Sequence, residues 1–195
     1  MTAKQIFYNE SKGAGAAANA GLRYRLIQQV ADGGESDVDP TKTFKSGDRI
    51  RFAFESNIDG YLYVVQQGSS GNWTVLFPNP DINGGRNQIK KFEEYNVPDE
   101  AWFSFDDKPG TEQVFVFLSK EVVSVLPGFS RPVTRLESVR AAVVEDLKNS
   151  VRSRDLVFER ERPAAGAKPS QATFVVNKEE VGKAVSAVIQ LVHGQ

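Results

Sequence analysis

The stretch Arg49-Ile50-Arg51-Phe52-Ala53-Phe54-Glu55 decides the fold, because its large apolar residues alternate with polar or small ones. An alternation with a period of two is typical of a β-strand that buries one face and exposes the other. The run that follows, residues 61–67, is rich in β-branched and aromatic residues and is a second strand candidate. The connection between them, residues 56–60, is short and ends in Asp-Gly, a dipeptide that favours tight turns. We therefore predict that the two strands form a β-hairpin.

Short strand patterns recur along the rest of the chain and are separated by clusters of Gly, Pro, Asn and Asp, which favour turns. The last apolar segment, residues 181–193, is compatible with a helix or a strand, and its β-branched residues favour a strand. Strands this short and this often interrupted predict a mainly β fold, an antiparallel β-sandwich of the Ig-like class, and not a βαβ fold. The other strand candidates are residues 22–26, 73–77, 102–105, 114–118, 156–158 and 173–176.

One segment has helical periodicity instead. Apolar residues recur between Leu136 and Leu147 at spacings of three and four, and charged residues occupy the other faces. Thr134 and Glu137 have the spacing of a capping box, in which two groups satisfy free N–H donors at the start of a helix. We therefore predict one inserted amphipathic helix over residues 132–149.

The first 20 residues differ in composition from the rest of the chain. Residues 11–20 are mostly glycine, alanine and other small residues, which favour a flexible linker over a helix. We predict a flexible N-terminal segment over residues 1–20 and a single β-sandwich domain over residues 21–195. The start of the chain lacks the apolar core of a signal peptide, and no apolar run approaches the roughly 20 residues that span a bilayer. A periplasmic or extracellular location, with the leader replaced by Met1, and a cytoplasmic location both stay open.

The composition excludes several classes of function. The chain has no cysteine, so disulfides, thiolate metal sites and cysteine nucleophiles are excluded. Its 24 Lys and Arg residues against 25 Asp and Glu residues leave a net charge of -1, which does not favour nucleic acid as a partner. His193 is the single histidine, so a histidine-based metal site or catalytic triad lacks partners. We expect no metal, no cofactor and no catalytic residues.

Two polar motifs resemble known sites only loosely. Asp32, Glu35, Asp37 and Asp39 are close in sequence, but they lack the central glycine and the final glutamate of a calcium-binding loop. The motif Asn83-Gly84-Gly85-Arg86 has no strand-to-helix context and no following Lys-Ser or Lys-Thr, so it does not predict a phosphate loop. We interpret both motifs as turns.

Four segments together resemble a known bacterial family. They are Phe44-Lys45-Ser46-Gly47-Asp48-Arg49-Ile50-Arg51-Phe52, Asn57-Ile58-Asp59-Gly60-Tyr61-Leu62-Tyr63-Val64, Leu76-Phe77-Pro78-Asn79 and Pro109-Gly110-Thr111-Glu112. Over roughly residues 22–120 the chain is similar to DUF4384, a family of unknown function whose members occur in envelope proteins and beside caspase-like peptidase or kinase domains. The resemblance implies a sandwich-like accessory domain that is often exported, and it implies no catalytic residues.

Aromatic residues are concentrated in the middle of the chain, and most of them are expected to fill the core. Strand alternation places Trp102 and Phe103 on opposite faces. One of them, if exposed beside the loop of residues 78–86, would form a recognition surface. The candidate binding residues are therefore Trp73, Trp102, Phe103, Asn79 and Arg86.

These features favour a non-catalytic binding or assembly module of the bacterial cell envelope that recognises a protein partner. A carbohydrate-binding domain is the alternative, and it requires Trp73 or Trp102 to lie flat on the surface. A hydrolase is the second alternative, and it requires a cleft lined by carboxylates with shifted pKa values. The sequence does not identify the ligand.

Overall fold

A computed structural model describes residues 1–9, 19–67, 71–151, 155–161, 170–178 and 184–194. The described strands form two seven-stranded sheets that pack face to face, so the prediction of a mainly β sandwich is confirmed. Sheet I contains β1 (Gly21–Gln29), β2 (Glu35–Val38), β4 (Arg49–Ser56), β8 (Glu94–Val97), β9 (Phe103–Ser104), β12 (Leu156–Arg160) and β13 (Thr173–Asn177). Sheet II contains β3 (Thr43–Phe44), β5 (Gly60–Gln67), β6 (Trp73–Phe77), β7 (Gln88–Ile89), β10 (Gly110–Ser119), β11 (Ser138–Val139) and β14 (Val185–His193).

The strand order places the first and last described strands, β1 and β14, in the interior of their sheets and not at the edges. In sheet I the order is β12-β13-β1-β4-β8, with β2 on β1 and β9 on β4. In sheet II it is β11-β6-β5-β10-β14-β3, with β7 on β5. The described pairs are antiparallel, except that β14 and β3 run parallel. β14 lies between β10 and β3, so the strand predicted at the end of the chain is confirmed.

Apolar side chains form three buried clusters, because both outer faces of the sandwich are partly covered. The central cluster lies between the sheets and takes alternate residues of its strands, such as Leu22, Tyr24 and Leu26 of β1. A second cluster lies on the outer face of sheet II under the helix α2 (Ala141–Ser150), and a third lies on the outer face of sheet I under the helix α1 (Ala3–Asn9). β5 and β10 are buried on both faces, which explains their continuous apolar runs.

β4 and β5 belong to different sheets, so the predicted hairpin between them is wrong. Their connection crosses the sandwich: Ile58 enters the central core, and β5 pairs with β6, β7 and β10. Gly60 starts β5 where a Cβ atom would lie 2.6 Å from the carbonyl oxygen of Ser119. The periodicity of each run predicts a strand but does not specify its partner, and corners of this kind let a chain change sheets.

Asn57 holds this corner through a buried side chain. Its Oδ1 accepts a hydrogen bond from the Gly21 N–H at 2.7 Å, and its Nδ2 donates to the Asn19 carbonyl at 3.0 Å. The substitution Asn57→Ala should leave these backbone groups unpaired and lower the free energy of unfolding by about 1–3 kcal/mol. Denaturant unfolding followed by circular dichroism measures the change. A loss as small as that of an ordinary surface substitution, about 0.5 kcal/mol, would contradict this role.

Residues 3–9 form the helix α1, whereas the sequence predicted a flexible segment over residues 1–20. Thr2 and Gln5 make a capping box: the Gln5 side chain accepts the Thr2 N–H at 2.9 Å, and the Thr2 hydroxyl accepts the Gln5 N–H at 3.2 Å. Residues 10–18, which include most of the predicted linker, lie outside the described residues. The apolar stripe of the helix packs on sheet I and consists of Ala3, Ile6 and Phe7.

The helix α2 begins at Ala141, so the prediction of a helix over residues 132–149 is wrong for its first part. The backbone before Ala141 bonds to the sandwich instead, since the Val133 N–H donates to the Gly85 carbonyl at 2.8 Å and β11 pairs with β6. These tertiary contacts override the helical periodicity. The predicted capping box of Thr134 with Glu137 is absent, because the helix starts after Arg140. Among the described residues, no helix is long and apolar enough to cross a membrane.

Candidate binding surfaces

The two tryptophans do not lie flat on the surface. Trp73 is 3% exposed and belongs to the cluster under α2, where the Lys148 ammonium lies 4.9 Å from its ring centroid. Trp102 is half-buried, and the guanidinium of Arg51 stacks 4.7 Å from its ring centroid. Phe103 is also half-buried and packs against the central core. The aromatic candidates therefore stabilise the fold, as expected for most aromatic residues of the chain.

The structure separates Trp102 from the loop of residues 78–86. Trp102 precedes β9, which pairs with the start of β4. The loop leads into β7, and β7 pairs with the start of β5 at Gly60. Gly60 follows the C-terminal end of β4, whereas β9 pairs with the N-terminal end of β4. In the loop, Asn79 forms a turn by accepting the Asp81 N–H at 2.9 Å, and Arg86 is exposed. Asn79 and Arg86 thus lie at one end of the sandwich, and Trp102 and Phe103 lie at the other.

The loop of residues 78–86 instead adjoins a groove of about 420 Å³. The segment of residues 124–143 forms it with polar and apolar side chains, and we call it the apolar groove after the exposed apolar side chains of that segment. Three points fix the segment on the sandwich: Leu126 is buried under sheet II, Gly128 packs on Pro78, and Val133 bonds to Gly85. The groove is therefore formed by well-anchored backbone.

Large apolar side chains at the apolar groove point into solvent. Val125 is 63% exposed and Phe129 is 49% exposed, and Leu136, which lies on the same segment outside the lining of the groove, is 62% exposed. Exposed apolar patches with polar rims mark interaction surfaces more often than isolated apolar residues do. The sequence does not predict this surface, because the periodicity around Leu136 is helical. The dipeptide Pro127-Gly128, a strong turn signal, was the pattern that could have revealed an irregular segment.

The charges around the apolar groove are mainly positive. Arg131 and Arg140 line it together with one carboxylate, Glu137. Arg135 lies 3.5 Å from Glu137, but its side chain is 82% exposed, so this surface ion pair contributes little stability. A partner with acidic residues around an apolar contact would complement this surface.

A second concave region lies on the outer face of sheet I and has a volume of about 500 Å³. We call it the arginine cleft. Its side chains form ion pairs: Arg25 donates to Asp37 at 2.8 Å and to Glu94 at 2.7 Å, and Arg51 donates to Glu35 at 2.6 Å. Burial acts to lower the pKa of the Arg25 guanidinium. The hydrogen bonds and charges of Glu94 and Asp37 outweigh this effect of burial, so the pKa is raised. Three of the four acidic residues of the calcium-loop comparison are therefore partners of arginines, because Asp39 also accepts a hydrogen bond from Arg160, at 2.7 Å.

The single histidine of the chain is buried beside an aromatic ring. His193 is 5% exposed at the end of β14, and its ring lies 5.3 Å from that of Phe105. Within the described ranges, no group of three or more acidic or histidine side chains is placed to hold a metal ion.

Comparisons with known proteins give a family and no activity. The family model of DUF4384, a domain of unknown function, matches residues 43–122. The resemblance read from the sequence is therefore confirmed for this range, which runs from β3 through β10. No curated protein and no solved structure matches the chain. The strands β1, β13 and β14, which complete the two sheets, lie outside the matched range, and so does the apolar groove.

Proposed function

From the premise that residues 43–122 are a DUF4384 domain, we propose that this chain is a non-catalytic binding module that recognises a protein partner through the apolar groove. The observation that carries the proposal is the exposure of Val125, Phe129 and Leu136 on an anchored segment. The family resemblance supports a place in the bacterial cell envelope, periplasmic or extracellular.

Anchoring makes this surface suitable for binding. A loop that must be ordered on binding loses conformational entropy, whereas a segment already held by the sandwich loses little. Phe129 and the arginines Arg131 and Arg140 combine apolar area with cationic groups, and aromatic residues and arginine are enriched among residues that dominate binding energy. The partner that fits is a protein segment with apolar side chains next to acidic ones.

The two alternatives have less support. A sugar stacked on Trp73 would require a ring that is in fact 3% exposed, and Trp102 already stacks on Arg51. A hydrolase would use carboxylates in a cleft, but the carboxylates of the arginine cleft are engaged in ion pairs.

A pair of charge substitutions tests the proposal. The double variant Val125→Asp, Phe129→Asp should weaken capture of the partner at least about tenfold, or about 1.4 kcal/mol, because it buries unpaired charges at the contact. The measurement is affinity capture from the producing cell, quantified by mass spectrometry and followed by titration of the recovered partner.

A matched control separates the groove from general surface effects. Val188 and Val192 are 47% and 42% exposed on β14, towards the opposite edge of sheet II, so Val188→Asp, Val192→Asp adds the same charge elsewhere. This control should capture the partner as the natural chain does. Equal recovery by the groove variant and the natural chain would exclude the groove as the binding surface.

A further inference from the structure

We propose that the partner of the apolar groove is a second copy of this chain, which places its residues 98–108 against the groove and so joins copies head to tail. This inference rests on the proposed function, because it names the partner of the same surface. Residues 98–108 follow β8, include β9 and end shortly before β10. We call them the acidic segment.

The acidic segment has a strong negative charge that the monomer leaves unpaired. Its carboxylates, set against the single lysine Lys108, are Asp99, Glu100, Asp106 and Asp107. All four are exposed, and none of them forms an ion pair with another described residue. The neighbouring turn, residues 45–49, bonds to Phe105, and its Lys45 and Arg49 offset only part of this charge. The segment therefore presents an anionic surface to a partner.

Apolar side chains lie between these carboxylates. Ala101 is exposed, and Trp102 and Phe103 are half-buried, so each has some area that a partner can cover. In sequence they separate the pair Asp99-Glu100 from the pair Asp106-Asp107. The acidic segment thus has the composition that the groove requires, apolar side chains next to acidic ones.

The cations at the apolar groove are complementary to this segment. Arg131 and Arg140 line the groove, and Arg86 belongs to the adjoining loop. All three are exposed, and over the described ranges they form no ion pair. Charged groups without a partner in the monomer gain one when a surface of opposite charge docks, and this complementarity selects both the partner and its orientation.

The two surfaces lie at opposite ends of the sandwich, so a single copy cannot bring them together. The acidic segment pairs through β9 with the start of β4. The groove segment is held at Gly85, in the loop that leads to β7 and the start of β5. A contact between two different surfaces leaves a free groove on one copy and a free acidic segment on the other, so further copies can add. The expected assembly therefore grows with concentration.

Sedimentation velocity of the natural chain at increasing concentration tests the self-association. The average mass should rise above that of the monomer as the concentration increases. Because charges surround the contact, raising the salt concentration from about 0.05 M to about 0.5 M should weaken the association at least about fivefold. A mass that stays at the monomer value up to about 0.5 mM in low salt would overturn the inference.

Two charge-reversal variants identify the surfaces in contact. Arg131→Glu, Arg135→Glu changes the groove, and Glu100→Lys, Asp107→Lys changes the acidic segment. Each double variant should weaken self-association at least about tenfold, because like charges then face each other. An equal mixture of the two variants should associate again, since one contributes a natural groove and the other a natural acidic segment. A misfolded variant would not be rescued in this way, and a mixture that stays monomeric would contradict the inference.

A matched control excludes a general effect of charge. Asp59→Lys, Glu93→Lys makes the same change in charge at exposed residues outside the groove lining and the acidic segment, and it should associate as the natural chain does. Loss of association in this control would overturn the inference. So would unchanged self-association in Val125→Asp, Phe129→Asp. A chain that stays monomeric yet captures another protein through the groove would overturn this inference alone and leave the proposed function standing.

Discussion

Replacing Phe7 by alanine is expected to lower the free energy of unfolding by about 3–5 kcal/mol, the usual loss for a buried phenylalanine. Phe7 is fully buried between α1 and sheet I, and its ring lies 5.3 Å from that of Phe174 and 5.9 Å from that of Phe92. The packing is tight, since a Cβ atom on Gly21 would come within 2.9 Å of the Phe7 ring. Guanidinium unfolding monitored by circular dichroism measures the loss.

A second phenylalanine provides the control for this experiment. Phe158 on β12 is 54% exposed, so Phe158→Ala removes the same atoms from a site that keeps much of its contact with water. We expect a change of about 0.5 kcal/mol or less for this variant. Equal effects of the two substitutions would show that α1 does not dock on sheet I, and would restore the prediction of a flexible N-terminal segment.

The second large effect is expected at Gly85, where the backbone of the loop meets the segment of the apolar groove. Gly85 has a φ of +74°, and an added Cβ atom would lie 2.3 Å from the carbonyl oxygen of Val133. The substitution Gly85→Ala must therefore displace Val133 and break its 2.8 Å hydrogen bond to the Gly85 carbonyl. The left-handed conformation contributes about 1–2 kcal/mol of destabilisation and the lost hydrogen bond about 1–3 kcal/mol more.

The neighbouring glycine separates these two contributions. Gly84 has a φ of +61°, but nothing lies within 4 Å of an added Cβ atom. Gly84→Ala should therefore show only the conformational part, about 1–2 kcal/mol, and keep the apolar groove intact. Gly85→Ala should be the less stable of the two in denaturant unfolding and should also lose the partner captured through the groove. Identical stability and capture in the two variants would contradict the anchoring of residues 124–143 by this loop.

The packing of α1 on sheet I extends the folded unit to residues 3–9. The helix covers part of sheet I with a stripe of three apolar residues, and its capping box Thr2-Ala3-Lys4-Gln5 was visible in the sequence. A helix of seven residues is too short to be stable alone, so only its docking makes it a helix. A shortened chain that begins at Gly21 would expose Phe174 and Val176, which the helix now covers.

Neither the apolar groove nor the arginine cleft was predictable from the sequence, for different reasons. In the apolar groove, the periodicity around Leu136 indicated a helix face, but prolines and bonds to Gly85 hold the segment in another conformation. In the arginine cleft, Arg25, Arg51 and Glu94 are far apart along the chain and become neighbours only when β1, β4 and β8 align. The loop residues Asn79 and Arg86 were chosen as candidates, and they lie next to the groove, whereas Trp73 serves the core.

Local structure could be predicted for most of the chain from the amino-acid sequence alone. Alternation at Leu22, Tyr24 and Leu26, and again along residues 49–55, specified strands and the face that each buries, because side chains on a strand alternate whatever its partner. It also determined the mainly β class and the family match over residues 43–122.

The pairing of the strands and the exposure of particular apolar side chains depend on long-range contacts. β4 and β5 follow each other along the chain yet lie in different sheets, and residues 132–140 have helical periodicity yet bond to the sandwich. Periodicity is a property of a few consecutive residues, whereas sheet membership and exposure depend on hydrogen bonds and packing between residues distant in sequence. The apolar groove and the arginine cleft therefore emerge from the fold and not from any sequence motif.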